Sequence, residues 1–441
     1  MDSTMSRVCV VGLGYVGLPT AVLLAMSGRQ IVGVDTNPHV LEALASGRAL
    51  LREPGLAALT AQAVASGRMV GSSQPEPADA FIVAVPTPVR GLAHKRADLT
   101  FVASAVEAVA RVLRPGNLVI LESTSPPGTT EHMVGPILER GSGLHTGCDF
   151  LLCHCPERVL PGQVLNEIVN NARIIGGIDR ASAEAAQDLY SSFVRGKIVL
   201  TDATTAELVK LMENIHRDVN IALANELALV AEHVGVNIWE AIELANHHPR
   251  VQVLRPGPGV GGHCIAVDPW FMVGAAPRFT PLVAASRAVN DGMPLHVVDL
   301  VESMLGGLAG RRVVILGLTY KAGVDDTRES PSAVVIEHLR RAGAHVSAHD
   351  AVVAMEIPLD TLADGADCLV LLVDHQAYAH LDPSVIAARM RRKVLVDARG
   401  FFDVEAWTEA GFEVARLGDG RQYEPRPQLD RQSAQLDRQS A

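Results

Sequence analysis

Positive charge, aromatic side chains, cysteine and long apolar runs are all scarce in this chain. Its 38 Lys and Arg face 49 Asp and Glu, a formal net charge of −11. No general positive field is therefore available to hold a nucleic acid, and a phosphorylated ligand has to be gripped by local basic groups and backbone amides. Aromatics make up only 4% of residues, whereas Ala, Val, Leu and Gly dominate, which suits helices packed on parallel strands better than a β-sandwich. No apolar run reaches the ~18 residues of a membrane-spanning helix. The opening MDSTMSRVCVVGLGYVG lacks the charged start, apolar stretch and cleavage site of a secretory signal. Six cysteines (Cys9, Cys148, Cys153, Cys155, Cys264 and Cys368) are too few and too irregularly spaced for a disulfide framework in 441 residues. The expectation is a cytoplasmic protein with neither a membrane nor a nucleic-acid partner.

What is present is alternating α/β texture. Val8–Val11 is a short β-rich run, followed by Gly12-Leu13-Gly14-Tyr15-Val16-Gly17, a helical stretch from Leu18 to Ser27 and a second run Ile31–Val34. Further strand-like runs at 80–85 and 118–121, interleaved with helical segments, predict a parallel, doubly wound sheet. Near Asp179 the texture becomes helical. One long helix is predicted from Thr204 to about Val234, opened by a Thr204/Glu207 capping box and striped by Leu208, Leu211, Ile215, Val219 and Ala222. Its Ala-rich composition suits packing between subunits and equally suits burial within one chain. From Arg311 the α/β texture returns without a second GxGxxG. The fold expected is α/β, with two Rossmann-like doubly wound domains joined by a central helical domain containing one long helix. The expected divisions are 1–178, 179–300 and 301–420, followed by a disordered tail, 421–441, in which QLDRQSA occurs twice in tandem.

The glycine string sits between a strand and a helix, and Asp35 ends the following strand roughly twenty residues on, as a dinucleotide-binding turn requires. Gly12 permits a tight turn, Gly14 lets the backbone approach a pyrophosphate, and Gly17 lets the helix lie close to the strand. The helix N-terminus offers amides to the phosphates. Asp35 accepts hydrogen bonds from the ribose, and Thr36-Asn37 brings no arginine to receive a 2′-phosphate, so the cofactor expected is NAD. Pro86-Thr87-Pro88 and Ser123-Thr124 follow strands and fall at the ligand-binding edge of such a sheet.

The segment PGPGVGGHCIAVDPW (256–270) crowds glycines around Cys264, with Asp268 four residues later. Glycines let a substrate approach the backbone, and a thiol there can serve as a nucleophile. GGHCIAVDP resembles the cysteine motif of the UDP-glucose/GDP-mannose dehydrogenase family, with Ala266 in place of the usual proline. Other family blocks follow in order: GLGYVGLP (12–19), PTP (86–88), STSPPGT (123–129), CPERVLPG (155–162), AELVKLMEN (206–214) and LGLTYKAGVDDTRESP (316–331). The blocks CPERVLPGQV, NNARIIGG and HHPRVQVLRPGPGVGGHCIAVDPWF resemble the branch acting on N-acetylated sugars. Within that branch, Ala266 and Pro269-Trp270-Phe271 resemble the pattern of the members acting on the mannosamine epimer, with the glucosamine epimer as the near alternative.

The resemblance implies oxidation of a UDP-N-acetylhexosamine at C6 to the acid, with two NAD per turnover and a covalent intermediate on Cys264, in a homodimer or larger homo-oligomer that supplies a surface polysaccharide. It implies that Lys210 and Asn214, which share one helix face at i and i+4, stabilise oxyanions. Glu157, Asp268 and Thr124 become the acid–base and water-positioning groups. The resemblance also places Leu13, Tyr15, Val16, Pro86, Thr87, Ser123, Thr124 and Arg328 on the cofactor side. Glu157, Arg158, Val159, Leu160, Lys210, Asn214, Arg217, Gly261 and Lys321 then lie on the substrate side, with Arg250 and Arg255 reaching it from the loop before the cysteine.

Three other readings remain. Cys153-His154-Cys155 suggests a metal, but no second ligand pair stands at zinc spacing, so none is expected. A two-electron hydroxyacid dehydrogenase needs no nucleophilic cysteine. An inactive NAD sensor needs none of Lys210, Asn214, Cys264 and Asp268. Apart from the resemblance, Glu157-Arg158 reads as a surface ion pair.

Overall fold

The computed structural model describes residues 5–51, 53–91, 95–160, 162–353, 355 and 357–421. The tandem heptads expected to be disordered lie outside them. Contacts divide the chain into two compact units, residues 1–213 with 270–276, and residues 214–269 with 277–441.

In the first unit, eight strands form one sheet: β1 (Arg7–Val11), β2 (Gln30–Val34), β3 (Met69–Ser72), β4 (Ala80–Val83), β5 (Leu118–Leu121), β6 (Leu151–His154), β7 (Arg173–Gly177) and β8 (Ile198–Asp202). Their order is β8-β7-β6-β5-β4-β1-β2-β3. Val8 and Val10 pack with Leu18 and Val22 on one face, while Cys9 and Val11 pack with Val102 and Val106 on the other. That period-two split shows why the strands read as continuous apolar runs, since helices cover both sides. The order reverses between β1 and β4, and ligands bind such sheets at the reversal.

One pair departs from the expected parallel sheet. β6 and β7 run antiparallel, pairing Cys153 with Gly177 and His154 with Gly176. The chain leaves β6 at its C-terminal edge, forms only the short helix Val164–Asn170 and re-enters the sheet from that edge. No crossover carries it back. Residues 155–160 consequently stay at the ligand-binding edge.

The long helix spans Ala203–Val234, 32 residues, and the division between units falls within it, between Glu213 and Asn214. Its expected capping box does not form. Asp202 accepts bonds from the Thr205 N–H (2.8 Å) and hydroxyl (2.7 Å). Glu207 instead turns inward, fully buried, and accepts from Gly128 N, Thr130 N and Thr130 Oγ1 at 2.5, 2.7 and 2.6 Å. The expected stripe is also only partly right. Leu211 and Ala222 are buried, but Leu208, Ile215 and Val219 are only half-buried, and Asp218, Asn225 and Glu232 share the buried face.

In the second unit, five parallel strands, β9 (Arg312–Leu316), β10 (His345–His349), β11 (Cys368–Leu371), β12 (Val394–Asp397) and β13 (Glu413–Arg416), take the order β10-β9-β11-β12-β13. This is the other common doubly wound order, with its reversal between β9 and β11. Val313 and Ile315 pack with Val335 and Leu339 on one face, and Val314 and Leu316 pack with Ile386 and Trp407 on the other.

Candidate active site

The three glycines of the first turn are separated by what a side chain would meet. At Gly12, with φ +95°, a Cβ would lie 2.4 Å from the Ala84 carbonyl oxygen, and at Gly17 one would lie 1.8 Å from the Gly12 oxygen. At Gly14 nothing lies within 4 Å. The first two glycines are thus demanded by the turn and its packing, while the third leaves backbone open at the start of the helix Gly17–Met26, the cradle a pyrophosphate needs.

Asp35 accepts from Leu13 N (3.0 Å) and Asn37 N (2.8 Å). It lines a cleft with Leu13, Gly14, Asn37, Arg48 and Leu50. The sequence placed no arginine beside Asp35, yet Arg48 reaches the same cleft because the helix Pro38–Ala45 turns the chain back. Across the reversal, the Ser123 hydroxyl accepts from Val85 N (2.9 Å) and donates to Val85 O (2.8 Å). It ties the loop after β5 to the one after β4, which carries the exposed Pro86 and half-buried Thr87. Thr124 is half-buried beside it, and Glu207 holds the rest of that loop. Glu207 was missed because its spacing read as a helix cap.

Glu157 is buried, so the surface-pair reading of Glu157-Arg158 fails. Arg158 instead makes a two-pronged ion pair with Glu213 (2.9 and 2.5 Å) and donates to Ala172 O (2.9 Å). The loop is further held by Glu53, which accepts from Gly162 N (2.7 Å), and by Glu167, which accepts from Leu160 N (2.7 Å). Val159 and Lys210 are half-buried, and Leu160 is exposed. Cys153, His154 and Cys155 are all buried, and burial lowers His154 to about 3 and raises Cys155 to about 11. Among the described residues, no three His, Cys, Asp or Glu converge as a metal site.

In the second unit, the cysteine loop is built by the chain's own close approaches. A Cβ on Gly261 would lie 2.5 Å from Glu329 O, and one on Gly262 would lie 2.9 Å from the Tyr320 ring. These glycines admit the loop 319–331, a neighbour within the fold, where the sequence suggested room for a substrate. Asn225, itself bonded to Asn290 (2.9 Å), accepts from Gly257 N (2.9 Å) and anchors the start of the loop. Cys264 is exposed and unbridged. Its carbonyl accepts from Val267 N and Asp268 N (3.0 and 2.8 Å), a tight turn into the helix Asp268–Ala275. Asp268 is buried, and its Oδ2 accepts from Asn214 Nδ2 at 2.5 Å. The structure thus joins Asn214 to the end of the Cys264 turn.

Arg328 pairs with Asp326 and approaches His263 Nδ1 (3.3 Å), the residue before Cys264. Lys321, Arg217, Arg250 and Arg255 are exposed.

Three family models cover most of the chain. They are described as the UDP-glucose/GDP-mannose dehydrogenase family NAD binding domain (residues 6–194), central domain (204–292) and UDP binding domain (314–404). The UDP-N-acetyl-D-mannosamine dehydrogenase of Methanocaldococcus jannaschii is 45% identical over 94% of this chain and 97% of its own. The NDP-N-acetyl-D-galactosaminuronic acid dehydrogenase of Ralstonia nicotianae is 44% identical over 92% of this chain and 98% of its own. The solved structure of a UDP-D-ManNAc dehydrogenase from Pyrococcus horikoshii matches with TM-score 0.89 and 41% identity, over 94% of this chain and 99% of that one. The chain belongs to the UDP-glucose/GDP-mannose dehydrogenase family and is an NAD-dependent UDP-sugar dehydrogenase.

Proposed function

We propose that the chain oxidises C6 of UDP-N-acetyl-D-mannosamine to the carboxylate, through a covalent intermediate on Cys264. The observation that carries this reading is the exposed Cys264 thiol on a turn that ends at buried Asp268, itself bonded to Asn214. The open backbone at Gly14 and the Asp35 carboxylate suit NAD, which supplies acceptance of one hydride in each of two oxidations. Cys264, as thiolate, adds to the C6 aldehyde and keeps this reactive species from leaving between the oxidations. After the second oxidation the sugar is held as a thioester. Glu157 takes a proton from water, the water oxygen bonds to C6, the C–S bond breaks and Cys264 leaves as thiolate. Lys210 and Asn214 stabilise the oxyanions, Thr124 holds the attacking water, and Asp268 fixes the Asn214 amide. Lys321, Arg250 and Arg255 grip the diphosphate with Arg217 beside them, and Arg328 orders the loop next to Cys264.

In this reading residues 1–178 bind NAD, 179–300 carry the catalytic helix and the subunit contact, and 301–420 hold the UDP-sugar. Met212, Leu223, Val230 and Val234 expose an apolar stripe on the long helix, at 56, 48, 50 and 59% exposure. A second copy of the chain is the proposed cover, in a cytoplasmic homodimer serving polysaccharide synthesis. The N-acetylated relatives support the substrate, and the mannosamine epimer rests on the blocks around Ala266.

Offered separately with NAD, UDP-N-acetyl-D-mannosamine should be turned over at least tenfold faster than UDP-N-acetyl-D-glucosamine or UDP-glucose. Equal turnover of the two N-acetylated sugars would refute the epimer, and preference for UDP-glucose would refute the branch.

A further inference from the structure

Behind the Glu157 loop lies a buried ionic cluster on which the reading above makes no demand. Glu122, at the end of β5, Arg173, at the start of β7, and Tyr190, at the end of the helix Arg180–Tyr190, are all within 5% of full burial. Arg173 donates to Glu122 Oε1 (2.5 Å) and to Cys155 Sγ (3.0 Å), and its guanidinium lies 4.1 Å over the Tyr190 ring. The Tyr190 hydroxyl donates to the same Glu122 oxygen at 2.6 Å, and Thr20 stands 3.5 Å from the other. The third face of Arg173 points to Glu157, whose Oε2 lies 3.9 Å from Nη1 and has no hydrogen-bond partner.

One guanidinium therefore serves two buried carboxylates. The other titratable groups against the cluster stay neutral. His154 is lowered to about 3 by burial, and Cys153, Cys155 and Tyr190 are raised by burial. Among the described residues, Glu157 holds a single hydrogen bond, from Arg158 N to Oε1 at 2.5 Å, and a buried carboxylate so placed is favoured as the ion by a nearby positive charge that offsets its lost solvation. The charge Glu157 receives from Arg173 depends on whether Glu122 is ionised.

We propose that Arg173 is a positioning residue that keeps Glu157 ionised and in place as the base for thioester hydrolysis, and that Glu122 governs how much of the Arg173 charge Glu157 receives. This rests on Glu157 being that base. Burial raises the Glu122 carboxyl to about 7, with Arg173 opposing the rise and Glu157 adding to it, so the division of charge changes near neutrality. The rate of hydrolysis then responds to pH through a group that never touches substrate.

The test follows the Cys264 thioester formed from UDP-N-acetyl-D-mannosamine and NAD, by acid quench and intact mass, with its breakdown rate measured from pH 5 to 9. In Glu122→Gln, a partner that stays neutral at every pH leaves the acid limb of breakdown in place and removes the change in rate near pH 7, where wild-type Glu122 ionises. In the double variant Glu122→Gln/Arg173→Gln, which leaves the site neutral and hydrogen-bonded, the limb moves up by about one pH unit and the thioester accumulates at pH 7. Arg173→Lys in the Glu122→Gln background returns it downward, because charge, rather than the shape of the fork, is what Glu157 needs. An acid limb that stays at the wild-type position in the double variant, or a rate change near pH 7 that persists in Glu122→Gln, overturns the proposal while leaving the reaction intact. A wild-type protein that never carries the adduct overturns the covalent reading, and this proposal with it.

Discussion

The two sheets begin in the same way and end in different chemistry. In the first, Gly12 N donates to Val34 O at 2.8 Å and Leu13 N donates to the Asp35 carboxylate at 3.0 Å. In the second, Gly317 N donates to His349 O at 2.8 Å and Leu318 N donates to the Asp350 carboxylate at 2.7 Å. Both first turns carry a positive-φ glycine, with φ +95° at Gly12 and +98° at Gly317. The acids diverge. Asp35 is partly open to a cleft, whereas Asp350 is buried and also accepts from Thr319 N, Val352 N, Val353 N and His375 Nε2. A carboxylate with every lone pair occupied by its own fold has none left for a ribose. The same first turn thus serves one sheet that binds a dinucleotide and another whose acid only locks its loop.

The sharpest break of this comparison is at the glycines. Gly17→Ala places a methyl on the Gly12 oxygen, so NAD binding should be lost and thermal stability clearly reduced. Gly14→Ala meets open space and should leave the melting temperature near wild type while weakening NAD. A folded, NAD-binding Gly17→Ala protein would show that the tight helix–loop contact is dispensable.

The two acids should then separate by assay. Asp350→Asn is expected to lose about 2–3 kcal/mol of stability in denaturant unfolding, the cost of disturbing a buried, charge-accepting hydrogen-bond set, with NAD affinity unchanged. Burial acts to raise Asp350, but the His375 hydrogen bond and the backbone donors prevail and hold it well below the ordinary carboxylate range. Its stabilisation is therefore present above the unfolded-state value of 3.8 and lost as pH falls through the folded value, so variant and wild type should converge in strong acid. Asp35→Asn should do the reverse, leaving stability intact and weakening NAD about tenfold, consistent with ~1–1.5 kcal/mol for a hydrogen-bonded pair. With Arg48 in the same cleft, Asp35→Asn should also narrow the preference for NAD over NADP, measured as the ratio of kcat/KM values.

A further contrast, spread over a range of pH, lies in the first sheet's own buried carboxyl. Glu122 keeps its proton up to about 7 in the fold, against 4.5 when exposed. Between those values the folded state binds more protons, so this group lowers stability as pH rises, by on the order of 3 kcal/mol at most. Glu122→Gln should flatten that part of the stability–pH curve. An unchanged slope would show that Glu122 is ionised throughout.

Much of this was legible in the sequence because the signals were local. The glycine turn with Asp35, the apolar runs of both sheets and the long helix each depend on neighbours within a few turns of chain. What escaped depended on partners far along the chain. Glu207 reads as a cap at helix spacing, yet it reaches back to Gly128 and Thr130. Arg173 sits in the quoted NNARIIGG block without its role being visible, since Glu122, Tyr190 and Glu157 meet it only through the sheet. The antiparallel β6–β7 pair was hidden because a short apolar strand carries no mark of its direction.

The most direct test of the account is the number of NADH released per UDP-N-acetyl-D-mannosamine consumed, by wild type and by Cys264→Ser. The account predicts two per sugar with the acid as product in wild type, and no acid from the variant. One NADH per sugar in wild type, or two from Cys264→Ser, would contradict it.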